Sequence, residues 1–371
     1  MNQRVLLEIA RRRELEEARV RRLQSWAQGG SDGPFKMMFF PTNACNMNCS
    51  ICWQRKGVQH LPEIPRDRQV RMFEEMIDLD VQELVIGGGG EPLLRWHCLE
   101  PLMRSAKAHG AYGMLFTNGT QITDEIASAL VDMQWNKVLI SLDGLQNIND
   151  RVRQEGSFQL IMAGLDRLLA ARGGRMLPVV GVSFVLTKDG IDDLPAVVQV
   201  LAERGCDQLN LVRLIVHLSW QRKFALPARL SKGHQEKLQE ASERLLSAGM
   251  LSNLNDFMNV DILQHSEGFE KVLLSSRTRD DNRDPFWSSL CFEPFTNLVI
   301  HADGAVGPCC MSGDAPLASV VSRSLHDVWF GTEMSALREG IKRRIPEPYC
   351  RICDLNVFYE NQRLRNLGRS L

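Results

Sequence analysis

Seven of the ten cysteines in this 371-residue chain fall into two spaced sets. The first is Cys45-x3-Cys49-x2-Cys52; the second is Cys291-x17-Cys309 followed by Cys350-x2-Cys353. Three local thiolates can ligate three irons of a cubane [4Fe–4S] cluster and leave its fourth iron without a protein ligand. An open coordination site is what metal catalysis needs. The same three residues also suit a zinc site completed by a distant ligand, or buried structural cysteines. The second set offers four thiolates, which fit a tetrahedral zinc ion or a fully ligated [4Fe–4S] cluster equally well. Cys98, Cys206 and Cys310 lie outside both sets and read as small buried apolar side chains. Cys310, beside Cys309, is the alternative ligand at that position.

The bulk composition leaves room for such chemistry and excludes other kinds. Lys and Arg total 44 against 45 Asp and Glu, a formal net charge of −1. That balance gives no electrostatic case for a nucleic-acid partner or a membrane surface. No stretch approaches the ~20 apolar residues of a membrane helix. Met1 to Gly30 is crowded with Arg and Glu and has no apolar signal core, so a cytoplasmic location is expected. In such a reducing compartment, spaced cysteines are more often metal ligands or catalytic groups than disulfides.

The elements that must position these cysteines alternate. Residues 3–27 have the spacing of a charged helix with Val5, Leu6, Ile9, Leu15, Val20 and Leu23 on a loose apolar stripe. Strands are expected at Lys36–Pro41, Glu83–Ile86, Gly113–Thr117, Lys137–Leu142, Val179–Leu186 and Gln208–Val216. Helices are expected between them at Arg68–Leu79, Leu99–Ala108, Asp124–Met133, Phe158–Ala171 and Leu194–Arg204. This order implies a parallel sheet with right-handed crossovers, as an open sheet or partial barrel. Such folds place ligand chemistry at the C-terminal ends of the strands. The first cysteine set follows the first strand, and a four-glycine run follows the second. After residue 216 the alternation stops. A helix at Lys232–Ala248 and a polar loop at Arg277–Asp284 suggest a helical linker over 217–290. A hairpin is then expected at Thr296–His301 and Ala305–Pro308 around Asp303-Gly304, and a helix at Leu325–Ile341.

The segment CNMNCSIC, from Cys45 to Cys52, resembles the cluster loop of the radical SAM superfamily. Gly88-Gly89-Gly90-Glu91-Pro92 after the second strand matches the family element that binds the amino group of S-adenosylmethionine. Glycines allow close backbone approach, and Glu91 could pair with an ammonium. Asn118 ends the third strand. The resemblance makes Ser141, at the end of the fourth, the ribose contact. Asn149-Asp150-x2-Arg153 resembles the segment whose arginine meets the S-adenosylmethionine carboxylate; a guanidinium fork suits that partner. One departure is Ile51 where the family often has an aromatic residue, with Trp53 just after Cys52. Cys291-x12-Gly304-x4-Cys309 looks like the opening of the SPASM/twitch extension, which carries auxiliary clusters.

The implied architecture is α/β: an N-terminal helix (1–34), a partial (β/α)6 radical SAM barrel (35–216), a linker (217–290) and a small α+β SPASM/twitch domain (291–371). Eighteen residues follow Cys353 and none is cysteine, so the shorter twitch form with one auxiliary cluster is expected. The implied cofactors are two [4Fe–4S] clusters and S-adenosylmethionine. The implied activity is that of an oxidoreductase. Reductive cleavage yields a 5′-deoxyadenosyl radical that takes hydrogen from a substrate C–H, and the auxiliary cluster accepts an electron. Cys291, Cys309, Cys350 and Cys353 resemble the arrangement in twitch-type dehydrogenases. That makes a small-molecule alcohol, of sugar or aminocyclitol type, the leading substrate. A peptide is the alternative substrate, modified by epimerisation, thioether formation or maturation. A non-catalytic cluster or zinc protein ranks third. An electron donor such as flavodoxin or ferredoxin is the expected partner.

Overall fold

The computed structural model describes residues 2–57, 60–227, 230–258 and 286–370. A long helix, α1 (Gln3–Ala27), comes first. The repeats follow as β1 (Lys36–Phe39), α2 (Arg66–Asp78), β2 (Glu83–Ile86), α3 (Trp96–Ala108), β3 (Tyr112–Thr117), α4 (Asp124–Asp132) and β4 (Lys137–Ser141). Then come α5 (Gln146–Val152), α6 (Ser157–Arg172), β5 (Val179–Leu186), α7 (Gly190–Glu203), β6 (Gln208–Arg213) and α8 (Lys232–Ala248). Strands β1 to β6 pair in sequence order, all parallel. Their near-continuous apolar sequences suit burial on both faces; seven of the eight residues of β5 are buried.

The sheet extends at both edges. A two-residue strand, β7 (Leu251–Ser252), pairs parallel with β6. On the other side β8 (Asn297–Ile300) pairs parallel with β1, then turns into β9 (Ala305–Gly307), and β10 (Ala318–Ser319) closes the edge. Among the described residues the order is β10-β9-β8-β1-β2-β3-β4-β5-β6-β7, one sheet that does not close on itself. The partial barrel is therefore present, and the C-terminal hairpin is built into its edge. The hairpin turns where expected: Gly304 takes φ +86° and its N–H donates to the His301 carbonyl at 2.9 Å.

Three readings differ from the structure. The helix expected over Leu325–Ile341 is two helices, Leu325–Trp329 and Thr332–Lys342. Gly331 breaks it in an extended conformation, where a Cβ would sit 2.5 Å from the Asp327 carbonyl. Helix α5 was not anticipated, because its seven polar-rich residues carry no apolar periodicity. Of α1's expected stripe, Val5, Val20 and Leu23 are buried, while Leu6 and Ile9 are exposed. The loop read at Arg277–Asp284 lies outside the described residues. Among the described residues, no helix is long and apolar enough to cross a membrane.

Charged side chains complete the seating of α1. It runs across the N-terminal ends of the strands, the end opposite the cysteine loop. Glu8, only 2% exposed, pairs with Lys137 at the start of β4 and accepts from the Tyr112 hydroxyl at the start of β3 at 2.9 Å. Arg19 meets Glu293 at 2.5 Å and Glu360 at 2.6 Å, and Lys36 of β1 meets Glu360 at 3.4 Å. Arg4 and Arg172 converge on Asp207, just before β6. Removing one member of a buried pair strands the other charge. Glu8→Ala should therefore destabilise the protein by about 3–5 kcal/mol, read as a lower guanidinium midpoint. Glu8→Gln combined with Lys137→Met should recover a large part of that loss. Equal loss in both variants would show that the pair is not what seats the helix.

Candidate active site and auxiliary cysteine site

The first cysteine loop hangs from the exits of β1, β2 and β3. The N–H groups of Gly87, Gly90 and Glu91 donate to the carbonyls of Phe39 (3.2 Å), Thr42 (2.7 Å) and Ala44 (2.8 Å). These bonds bring the glycine run so close that a Cβ on Gly90 would lie 1.8 Å from the Ala44 carbonyl oxygen. The loop then takes three further ties. Asn118 donates to Asn46 at 2.9 Å, the Ser50 N–H donates to the Val152 carbonyl at 2.8 Å, and Cys52 leads into a short 3-10 turn, Trp53–Lys56. Cys45 is exposed; Cys49 and Cys52 are half-buried.

The Glu91 carboxylate is buried and accepts from the Asn118 N–H (2.7 Å), the Thr117 hydroxyl (2.6 Å) and the Leu93 N–H (3.0 Å). These bonds fix the β2 and β3 exits together. Burial raises the Glu91 carboxyl, against those donors. Asn118 is likewise a loop tie, holding Asn46 and accepting from Thr120. Ser141 is the last residue of β4, half-buried and in register with Ser183.

Arg153 caps α5 and reaches the buried Asp143 at 2.8 Å. Asn149 and Asp150 aim it. Asn149 accepts from the Asp143 N–H at 3.2 Å, and Asp150 accepts from the Phe158 N–H at 2.8 Å. The guanidinium has Cys49 and Cys52 among its electrostatic neighbours, and its Nε is buried without a hydrogen-bond partner. A buried unspent N–H is costly, and a carboxylate ligand would satisfy it. Burial pushes the Cys49 thiol up to about 11, opposed by Arg153. Such a thiol stays protonated until iron displaces the proton. The three gathered thiols and the unspent Arg153 donor fit a site-open cluster with S-adenosylmethionine.

The second set also comes together. Cys309 has Cys310, Cys291 and Cys353 as thiol neighbours, and Cys353 has Cys291, Cys310 and Cys350. Cys310 lies beside the same thiols and also near Asp354, Glu293 and Lys36. Burial raises Cys309 and Cys353 far above the usual thiol range. The Glu293 N–H donates to the Cys291 sulfur at 3.4 Å, a contact of the kind that tunes iron–sulfur centres. Among the described residues, no three His, Cys, Asp or Glu side chains converge on a single-ion site. Cys206 is buried as expected, whereas Cys98 is half-exposed on α3.

Several groups that hold the site gave no signal in the sequence. Gln221, fully buried, donates to the Ile51 and Cys52 carbonyls at 3.1 and 3.2 Å and accepts from the N–H groups of His217 and Leu218. Glu63 accepts from Thr42 and from the Asn43 N–H and pairs with Arg95. Asp143 was visible in the Ser141–Gly144 run but not as the partner of Arg153. Glu91→Gln would put an amide donor in place of one carboxylate oxygen, against either the Asn118 N–H or the Leu93 N–H and Thr117 hydroxyl. We expect a stability loss of about 1–3 kcal/mol and less iron retained per chain. Unchanged iron content with unchanged stability would show that the tie is dispensable.

Comparison with known proteins agrees with this geometry. The model of the radical SAM superfamily matches residues 39–201, and that of an iron–sulfur cluster-binding domain, SPASM, matches residues 291–354. The mycofactocin maturase MftC of Mycolicibacterium smegmatis is 32% identical over 196 residues, 53% of this chain and 48% of that protein. The aligned part thus spans about half the length of that relative. The sporulation killing factor maturation protein SkfB of Bacillus subtilis is 24% identical over 319 residues, 82% of this chain and 70% of that protein. Among solved structures, Streptococcus suis SuiB bound to S-adenosylmethionine superposes with a TM-score of 0.61 at 14% identity, covering 88% of this chain and 75% of that one. That likeness establishes the fold. The chain belongs to the radical SAM superfamily, an enzyme family that uses S-adenosylmethionine and a [4Fe–4S] cluster, and it carries a C-terminal SPASM-type domain for a second cluster.

Proposed function

We propose that this enzyme modifies a peptide. The observation that carries the reading is the match to SkfB, named as a maturation protein, because it covers 82% of this chain and 70% of that protein. MftC, a second relative, is named a maturase. This reverses the order of the two substrates expected from the sequence. The dehydrogenation of a sugar-type alcohol rested on the resemblance of the second cysteine set to twitch-type dehydrogenases and on the short segment before β1, neither of which fixes the substrate.

In this reading Cys45, Cys49 and Cys52 hold the first cluster. The Gly88–Gly90 backbone and Arg153 receive the amino and carboxylate groups of S-adenosylmethionine, with Ser141 at the ribose. Cys291, Cys309, Cys350 and Cys353 hold the auxiliary cluster. The first cluster with S-adenosylmethionine supplies the carbon radical that takes hydrogen from an unactivated C–H. The chain's own tasks are to orient, to exclude water and to keep stray hydrogen donors away. Gln221 serves the first of these by fixing the Cys52 end of the loop. The auxiliary cluster, held by Cys291, Cys309, Cys350 and Cys353, would supply an acceptor for an electron from the substrate, and a flavodoxin or ferredoxin would be the external donor.

Anaerobic reconstitution should give about eight iron per chain, two four-iron clusters. Four iron with one zinc would overturn the auxiliary assignment. Cys45→Ala should abolish 5′-deoxyadenosine formation, whereas Cys350→Ala should spare it more than it spares product. The substrate class is tested by mass spectrometry with S-adenosylmethionine and dithionite, offering short peptides encoded beside the gene and a panel of cyclitols and sugars. A mass change confined to a peptide is expected. Turnover of a sugar alcohol with all peptides intact would refute the reading.

A further inference from the structure

Two polar side chains beside the auxiliary cysteines each keep a buried donor that meets no acceptor within the chain. Arg213, the last residue of β6, sends Nη2 to the Cys353 carbonyl at 3.5 Å. Its Nε is buried and without a hydrogen-bond partner. Tyr349 directly precedes Cys350, and its hydroxyl is buried and also unpartnered. Cys309, Cys350 and Cys291 are among its electrostatic neighbours. The two groups come from different modules, the barrel and the C-terminal domain, and between them they neighbour the whole set: Arg213 lies near Cys353, and Tyr349 near Cys309, Cys350 and Cys291.

Neither group is explained by packing alone. A phenylalanine would fill the Tyr349 site without leaving a hydroxyl unsatisfied. A methionine would fill much of the Arg213 stem without burying a charge. Donors are costly to bury unless an acceptor arrives. The acceptors that a [4Fe–4S] cluster brings are its sulfides and its cysteine sulfurs. Both become more negative when the cluster is reduced. An N–H or O–H aimed at them, or a guanidinium charge nearby, stabilises the reduced state more than the oxidised one and so raises the potential. Asp354, a buried carboxylate next to Cys353 and near Arg213, works in the opposite direction. So does Glu293 near Cys310, where Lys36 offsets it. Arg213 and Tyr349 are the donors left unspent in this surrounding.

We infer that Arg213 and Tyr349 donate to the sulfurs of the auxiliary cluster and hold its reduction potential up, making them positioning residues for electron acceptance. That the accepted electron comes from substrate rests on the reading above; the effect on the potential does not.

The test uses the full chain with Cys45, Cys49 and Cys52 all changed to alanine, so that one cluster reports and no radical chemistry occurs. The midpoint is followed by anaerobic redox titration with electron paramagnetic resonance. Tyr349→Phe removes a single oxygen, and Arg213→Met removes both charge and donors. Each should lower the one-electron reduction constant about tenfold, which is ~59 mV, at unchanged iron and sulfide content. If Arg213→Met fails to hold iron, Arg213→Lys keeps the charge without the Nε donor and should still lower the midpoint. Parent-like midpoints in cluster-loaded Tyr349→Phe and Arg213→Lys would overturn the inference. The readout contains no substrate, so a failed peptide assignment would leave it untouched.

Discussion

The site depends on one close approach of backbone to backbone. A Cβ at Gly90 would fall 1.8 Å from the Ala44 carbonyl oxygen, and one at Gly89 would fall 2.7 Å from the Thr42 carbonyl oxygen. Only glycines let the β2 exit lie against the start of the cysteine loop in this way. The loop has no regular structure between β1 and the turn at Trp53, so it takes its shape from this contact. Glu91 then carries the constraint onward to Thr117 and Asn118, and Asn118 returns it to Asn46. Three strand exits are thereby tied into a circuit around the thiols. A cluster loop must be preorganised, since sub-ångström placement decides whether a reacting bond is presented correctly.

The other end of the barrel shows a different economy. Buried ion pairs rarely add net stability over apolar packing. Even so, Glu8, Arg19, Lys36, Glu293, Glu360 and Asp207 are gathered beneath the strands. What they do specify is which surfaces meet. Arg19 of α1 reaches Glu293, two residues after Cys291 in sequence, and Glu360 of the C-terminal helix Leu355–Ser370. The first and last helices of the chain are locked to one another and to β1 by charges that have few alternative partners. One closed end leaves the opposite end for chemistry.

Much of this was legible from residue order. Strand and helix alternation marked out the parallel core, since each strand is a short apolar run and every crossover helix except the short α5 has an apolar period. Asp303-Gly304 marked the hairpin. The cysteine spacings located both sites. Side-chain direction was not legible. Nothing in the sequence shows that the Glu91 carboxylate turns inward, where three donors converge. Gln221 gave no signal because a glutamine in a polar stretch is unremarkable until its four bonds are counted. Glu8 and Arg19 read as solvent-facing charges, because a helix pattern cannot announce a partner more than a hundred residues away. Pairing of β8 with β1 was equally hidden, as non-local strand partners leave no trace in local periodicity.

That pairing has a consequence for how the two sites communicate. Register runs from Lys36 opposite Asn297 to Phe39 opposite Ile300, and the Phe40 N–H extends it to the Ile300 carbonyl at 2.9 Å. The Phe40 and His301 rings then meet edge to face at 4.9 Å, just beyond the two strand ends. The first cysteine loop leaves from one of these strands. Cys309 follows β9, the hairpin partner of the other. The separation of the two cysteine sites is therefore set by ladder hydrogen bonds within one sheet. A one-residue slip of β8 against β1 would turn its buried side chains to the wrong face and would not be tolerated. A sheet supplies that kind of invariance where a hinge between two domains could not.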